Sequence, residues 1–139
     1  MTDPPNRIAA FYPILSGALF LGLGLLTMIR PEVLEYYSIG VDSASARTAI
    51  RAMIGGGEIG LGTVLLGGHR WGFSLSQRCI LAAVVFICVG LTRLVSSGLE
   101  FGFYLAHQPL REAAIELILG CVGVLSTAKN LARNRAVEP

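Results

Sequence analysis

Four long apolar runs, separated by short polar stretches, organise this sequence. The first covers 8–29 and carries no charge over 22 residues. As an α-helix it would be about 33 Å long, against a membrane hydrocarbon core of roughly 30 Å. The others cover 47–68, 79–99 and 109–127, and each holds at least one charge. None has the polar outer face that a helix of a soluble bundle needs, and no stretch alternates as a strand would. The pattern predicts an all-α fold: an integral membrane four-helix bundle, one domain over 1–139, with antiparallel up-and-down spans and short loops.

Local signals mark the boundaries. Arg30-Pro31 ends the first run, where a cleaved leader would have small residues, so it reads as a retained helix. Pro31 opens a short interfacial helix with Val33, Leu34 and Tyr37 on one side. Asp42 and Ser43 are candidate N-caps for the second span, and Gly67-Gly68 closes it. Pro109 suits the first turn of the fourth, where Glu112 meets the positive end of the helix dipole.

Composition narrows the function classes. Hydrophobic residues make up 53% of the chain and charged ones 14%, with a mean hydropathy of +0.65. An average soluble domain is roughly 25% charged. A net charge of +2, scattered along the chain, leaves no footprint for nucleic acid. Arg7, Arg70, Arg78, Lys129, Arg133 and Arg135 fall on one side of four spans, and Arg30, Arg47, Arg51 and Arg111 on the other. The excess predicts both termini in the cytoplasm. Aromatic residues fit two interfacial belts, Phe11, Tyr12, Trp71 and Phe73 inside and Tyr36, Tyr37, Phe101, Phe103 and Tyr104 outside.

The charges within the spans are the candidate chemistry. Glu58, Arg93 and Glu116 cannot easily reach an interface, and Arg51 sits shallower, about 10 Å outward of Glu58 on the same helix. Each charge at mid-membrane costs about 2.5–3.5 kcal/mol on insertion scales, so these three should pair, neutralise or meet water. By helical rise, Glu58 lies near the middle of its span, Arg93 roughly 7 Å outward and Glu116 roughly 4 Å outward. Arg93 is therefore expected to pair chiefly with Glu116, leaving Glu58 mostly neutral and hydrogen-bonded. Stripes at three- and four-residue spacing give the facing directions: Arg47, Arg51, Gly55, Glu58 and Gly62 in the second span; Ala83, Phe86, Gly90, Arg93 and Ser97 in the third; Glu112, Glu116, Gly120, Gly123 and Thr127 in the fourth. Gly17 and Gly24 share a face of the first, with Ala18 and Gly22 beside them. Small residues let membrane helices approach closely. The buried cluster of Arg51, Glu58, Arg93 and Glu116 reads as structural glue, as a binding site, or as a partner surface.

Other chemistry recedes. Gly55-Gly56-Gly57 has neither the preceding strand nor the following Lys-Ser/Thr of a phosphate loop. Gly56 and Gly60 have the spacing of a helix-association motif. Cys79, Cys88 and Cys121 form no CxxC pair and read as buried small hydrophobes. His69 and His107 fall in loops on opposite sides. No catalytic residue, metal site or cofactor is expected.

The pairs Arg51-Ala52, Gly55-Gly56, Leu61-Gly62, Arg93-Leu94 and Glu116-Leu117 resemble a bacterial membrane family known as domain of unknown function DUF4345, over most of the chain. That family's pattern has Asn-Glu before the arginine and Tyr before the glycine pair, where this chain has Thr48-Ala49 and Ile54. It has an apolar residue in place of Glu58. The resemblance implies a four-helix fold in a bacterial cytoplasmic membrane, singles out Arg51, Arg93 and Glu116, and brings no activity.

The reading that follows is a small non-enzymatic membrane protein, an accessory subunit or a lipophile-binding bundle. Its partners would be membrane lipids and either a second copy or a larger membrane complex. Two alternatives use the same carboxylates: an ion- or proton-coupled transporter acting as a dimer, and an intramembrane enzyme on a lipid or isoprenoid.

Overall fold

The computed structural model of this chain describes residues 7–100 and 108–135, with side chains to residue 128. Among them the structure is all helix, without strands. Helix α1 covers Arg7–Ile29, and a 3-10 helix covers Pro31–Tyr37. Helix α2 (Ala44–Ile50) runs through a π turn at Arg51–Gly55 into α3 (Gly56–Gly67) and a last 3-10 turn, Gly68–Trp71. Helix α4 covers Leu75–Glu100 and α5 covers Gln108–Arg135. The elements fall where the apolar runs place them, and α5 extends beyond its run.

Three of these helical stretches are long and apolar enough to cross a membrane: Arg7–Ile29, Ala44–Trp71 and Leu75–Glu100. Their surfaces are inverted relative to a soluble helix. On α1 the exposed positions include Ile14, Leu15, Leu19, Leu23 and Leu26, whereas Ser16, Gly17, Gly24 and Thr27 are buried. Burying small and hydroxyl-bearing residues while exposing leucine is the arrangement expected where lipid replaces water as the outer solvent.

The chain forms two compact units, Ile14–Gly72 and Met1–Pro13 with Phe73–Pro139. In the first, α1 and α3 run antiparallel on glycines seven residues apart. A Cβ on Gly24 would lie 2.7 Å from the Gly55 carbonyl oxygen, and one on Gly62 would lie 2.8 Å from that of Gly17. Both helices thus touch backbone to backbone, which only glycine permits. Gly22, Gly57 and Gly60 have open space around them. The Gly56–Gly60 motif therefore does not make these contacts, which belong to Gly55 and Gly62, and Ala18 and Gly22 are exposed.

The connection between α1 and α2 is anchored by a small core of Leu34, Val41 and Ile50, with Val33 and Ile54 against it. Pro31 opens the 3-10 helix as its sequence suggests, but Tyr37 faces outward. Ser43 is the N-cap of α2, accepting from the Ala46 amide at 3.0 Å. Asp42 instead offers its carbonyl to the Arg47 guanidinium, 3.2 Å away. At the other end the chain passes Gly67-Gly68 and stops at Gly72, whose φ of +84° suits glycine.

In the second unit α4 and α5 form an antiparallel pair. A Cβ on Gly90 would meet the Leu117 side chain at 2.9 Å, and one on Gly120 would meet Ile87 at 2.5 Å. Tyr12 lies over Gly123 and is buried, not interfacial as its place in an aromatic belt suggested. A ring at this position needs a neighbour without a side chain, and Gly123 supplies it. Phe11, Tyr36, Tyr37, Trp71 and Phe73 are exposed as a belt requires. Phe101, Phe103, Tyr104 and His107 lie outside the described residues, as do the side chains of Lys129, Arg133 and Arg135. Cys79 is buried, its thiol donating to the Ala9 carbonyl at 3.4 Å. Cys88 and Cys121 are exposed, which corrects the expectation that all three are core residues: they lie off the contact stripes of α4 and α5.

Candidate functional site

The third-span stripe Ala83, Phe86, Gly90, Arg93 and Ser97 faces inward along α4, with Arg93 half-buried and the others buried. On α5 the residues Glu112, Glu116, Gly120, Gly123 and Thr127 do the same. Because the helices are antiparallel, these stripes bring Arg93 against two carboxylates one turn apart. Arg93 Nε donates to Glu116 Oε2 at 3.1 Å and Nη2 to Oε1 at 3.0 Å. Nη1 lies 2.8 Å from Glu112 Oε2. Glu112 Oε1 in turn accepts from Gln108 Nε2 at 2.9 Å. The fork of guanidinium nitrogens on one carboxylate is the strongest geometry an ion pair offers.

The expected Arg93–Glu116 pair is thus present, and Glu112 joins it. Sequence reasoning placed Glu112 on the right stripe but assigned it to the helix dipole. Its i,i+4 relation to Glu116 is the signal that could have found it. One arginine and two glutamates carry a net −1. Their side chains are only 27%, 25% and 17% exposed for Arg93, Glu112 and Glu116.

Beside this triad, α4 walls a cavity of about 520 Å³, lined by Cys88, Val89, Thr92, Arg93, Ser96, Ser97, Glu100 and Pro109. Its far end is apolar at Cys88 and Val89, and its near end carries three hydroxyls and a carboxylate. Ser97 is 2% exposed, and its Oγ has no hydrogen-bond partner among the described residues. A buried polar atom left without a partner costs about 1–3 kcal/mol.

Arg51 and Glu58 belong to the other unit. Arg51 opens the π turn, and its Nε donates to the Met28 carbonyl at 3.0 Å. The last carbonyls of a helix lack partners of their own, and a cation there is favoured by the dipole. Arg51 therefore secures the end of α1. The regular three- and four-residue rhythm expected through this segment is widened: the Gly56 amide reaches back five residues to the Arg51 carbonyl. Glycines 55 to 57 hold α-helical register poorly, which lets the turn open. Glu58 follows in the first turn of α3, its Cβ 2.9 Å from where a Cβ of Gly24 would stand. Its Oε2 is buried without a hydrogen-bond partner among the described residues. No group of three or more His, Cys, Asp and Glu residues suited to a metal is found among the described residues.

No curated protein and no solved structure matches the chain. The family pattern of a domain of unknown function, DUF4345, matches residues 8–127, which takes in Arg51, Glu58, the Arg93–Glu112–Glu116 triad and the cavity wall. With that match over most of its length, the chain belongs to the DUF4345 family.

Proposed function

We propose that this is a non-enzymatic integral membrane protein that holds a lipophile in the cavity beside Arg93. The observation that carries the reading is the cavity itself, apolar at one end and hydroxyl-lined at the other, on a helix long and apolar enough to span. Pockets of roughly 300–1,000 Å³ hold molecules of drug size. With α5 as a fourth span, both termini face the cytoplasm of a bacterial cell. The Lys and Arg excess on that side supports this.

Native mass spectrometry after gentle extraction tests the reading. The expected result is a chain retaining a lipid-sized adduct, lost in Ser97→Leu, which fills the cavity. A stoichiometric protein partner with no adduct would identify an accessory subunit instead. Impermeant labelling of Val137→Cys in intact cells, with the native cysteines replaced, would reverse the orientation.

One observation favours a second reading. The unpartnered Glu58 Oε2 is suited to taking up and releasing a proton, as a proton-coupled carrier acting as a dimer would require.

A further inference from the structure

We infer that the lipophile held beside Arg93 is a cation: a long-chain primary ammonium, its tail at Cys88 and Val89 and its head at Ser96, Ser97 and Glu100. The inference rests on the reading above and names the ligand class of that cavity. Every guanidinium nitrogen of Arg93 already faces a carboxylate oxygen, two on Glu116 and one on Glu112. The arginine that lines the cavity is therefore no docking point for an anionic head, which would have to displace one of these carboxylates. Arg93, Glu112, Glu116 and the cavity residue Glu100 together sum to −2, which repels an anion and attracts a cation.

The second observation is Ser97. Its Oγ is buried, unpartnered among the described residues and part of the cavity wall. A hydroxyl accepts as well as donates, so it can receive an N–H from the head. Ser96 and Thr92 add acceptors on the same wall. An ammonium carries three donors and no acceptor, which matches a wall of hydroxyls and a carboxylate. A quaternary head would bring the charge but leave Ser97 unsatisfied.

The test uses the full chain in nanodiscs of zwitterionic phosphatidylcholine and radiolabelled dodecylammonium, with empty nanodiscs as the blank. Saturable binding of one molecule per chain is expected. Unlabelled dodecylammonium should compete, and dodecanoate and dodecanol should not. Glu100→Gln, at an exposed position that folding tolerates, should weaken binding about tenfold, the loss of one charge-assisted contact. Ser97→Leu should abolish it. If dodecanoate or dodecanol binds as tightly as the amine, or if Glu100→Gln binds like the wild type, the cation assignment is wrong and the lipophile reading stands. If none of the three binds saturably and native spectra show no adduct, both fall.

Discussion

Replacing Arg93 by leucine leaves two carboxylates facing an apolar side chain. Breaking a fully buried ion pair from one side costs about 3–5 kcal/mol. Here the three side chains keep 17–27% of their exposure, so the cost falls to or just below the bottom of that range, and Arg93→Leu should cost about 2–3 kcal/mol. The two glutamates should behave unlike the arginine and unlike each other. Removing either leaves a neutral one-to-one pair in place of a triad of charge −1. Glu116→Gln loses half of the fork and should cost about 1 kcal/mol. Glu112→Gln keeps the bidentate pair and should cost less than that. Arg93→Leu with both glutamates changed to glutamine should recover most of the loss, because no charge is then stranded. The measurement is reversible unfolding in mixed micelles followed by circular dichroism. The reasoning fails if Arg93→Leu unfolds like the wild type, or if the triple variant is less stable than Arg93→Leu alone.

The same unfolding assay checks three further predictions. Gly24→Ala drives a Cβ to 2.7 Å from two backbone atoms and should destabilise by about 1–3 kcal/mol, whereas Gly60→Ala, with nothing within 4 Å, should stabilise by up to about 1 kcal/mol; equal effects would mean that α1 and α3 do not meet at Gly24. Ser43→Ala removes the hydroxyl that accepts from the Ala46 amide and should cost about 1 kcal/mol, recovered in Ser43→Asp. Glu58→Gln should stay within about 0.5 kcal/mol of the wild type, since its buried oxygen has no partner to lose among the described residues; a large loss would make Glu58 a charged structural partner and remove the ground for a proton-carrying role.

Glycine spacing and helical stripes made most of the helix contacts legible. Gly17 and Gly24, and Gly55 and Gly62, each lie seven residues apart on one face, and the structure sets these pairs against each other. Depth and stripe together pair Arg93 with Glu116, because rise per residue is fixed and opposite charges in a nonpolar medium have few other solutions. Three features were not legible. The cavity sets Pro109 beside α4 residues 88–100, a meeting in space that no local pattern records. Arg51 finds a backbone carbonyl as its partner, and a carbonyl leaves no mark in a sequence. Tyr12 has the composition of an interfacial residue, and only the bare surface at Gly123 explains its burial.

The π turn at Arg51–Gly55 is the shape left by one residue inserted into an α-helix. Ile50 and Gly55 are both buried although five residues apart, a spacing an unbroken α-helix would turn about 140° out of phase. The wide turn absorbs the surplus residue, so one continuous stretch serves two masters: Ile50 joins Leu34 and Val41, and Gly55 meets Gly24. A change of length here is therefore not equivalent to a change of side chain. Deleting Met53, which is 79% exposed and touches little, would heal the helix and make its local hydrogen bonding more regular. It would also leave Ile50 and Gly55 four residues apart, about 40° apart on an unbroken α-helix, so both would keep the faces they now use. Substitution and deletion should thus both be tolerated at this exposed methionine, whereas removing a second residue would turn the two parts by about 100°, with the reading frame of the helix, and not the residue, under constraint.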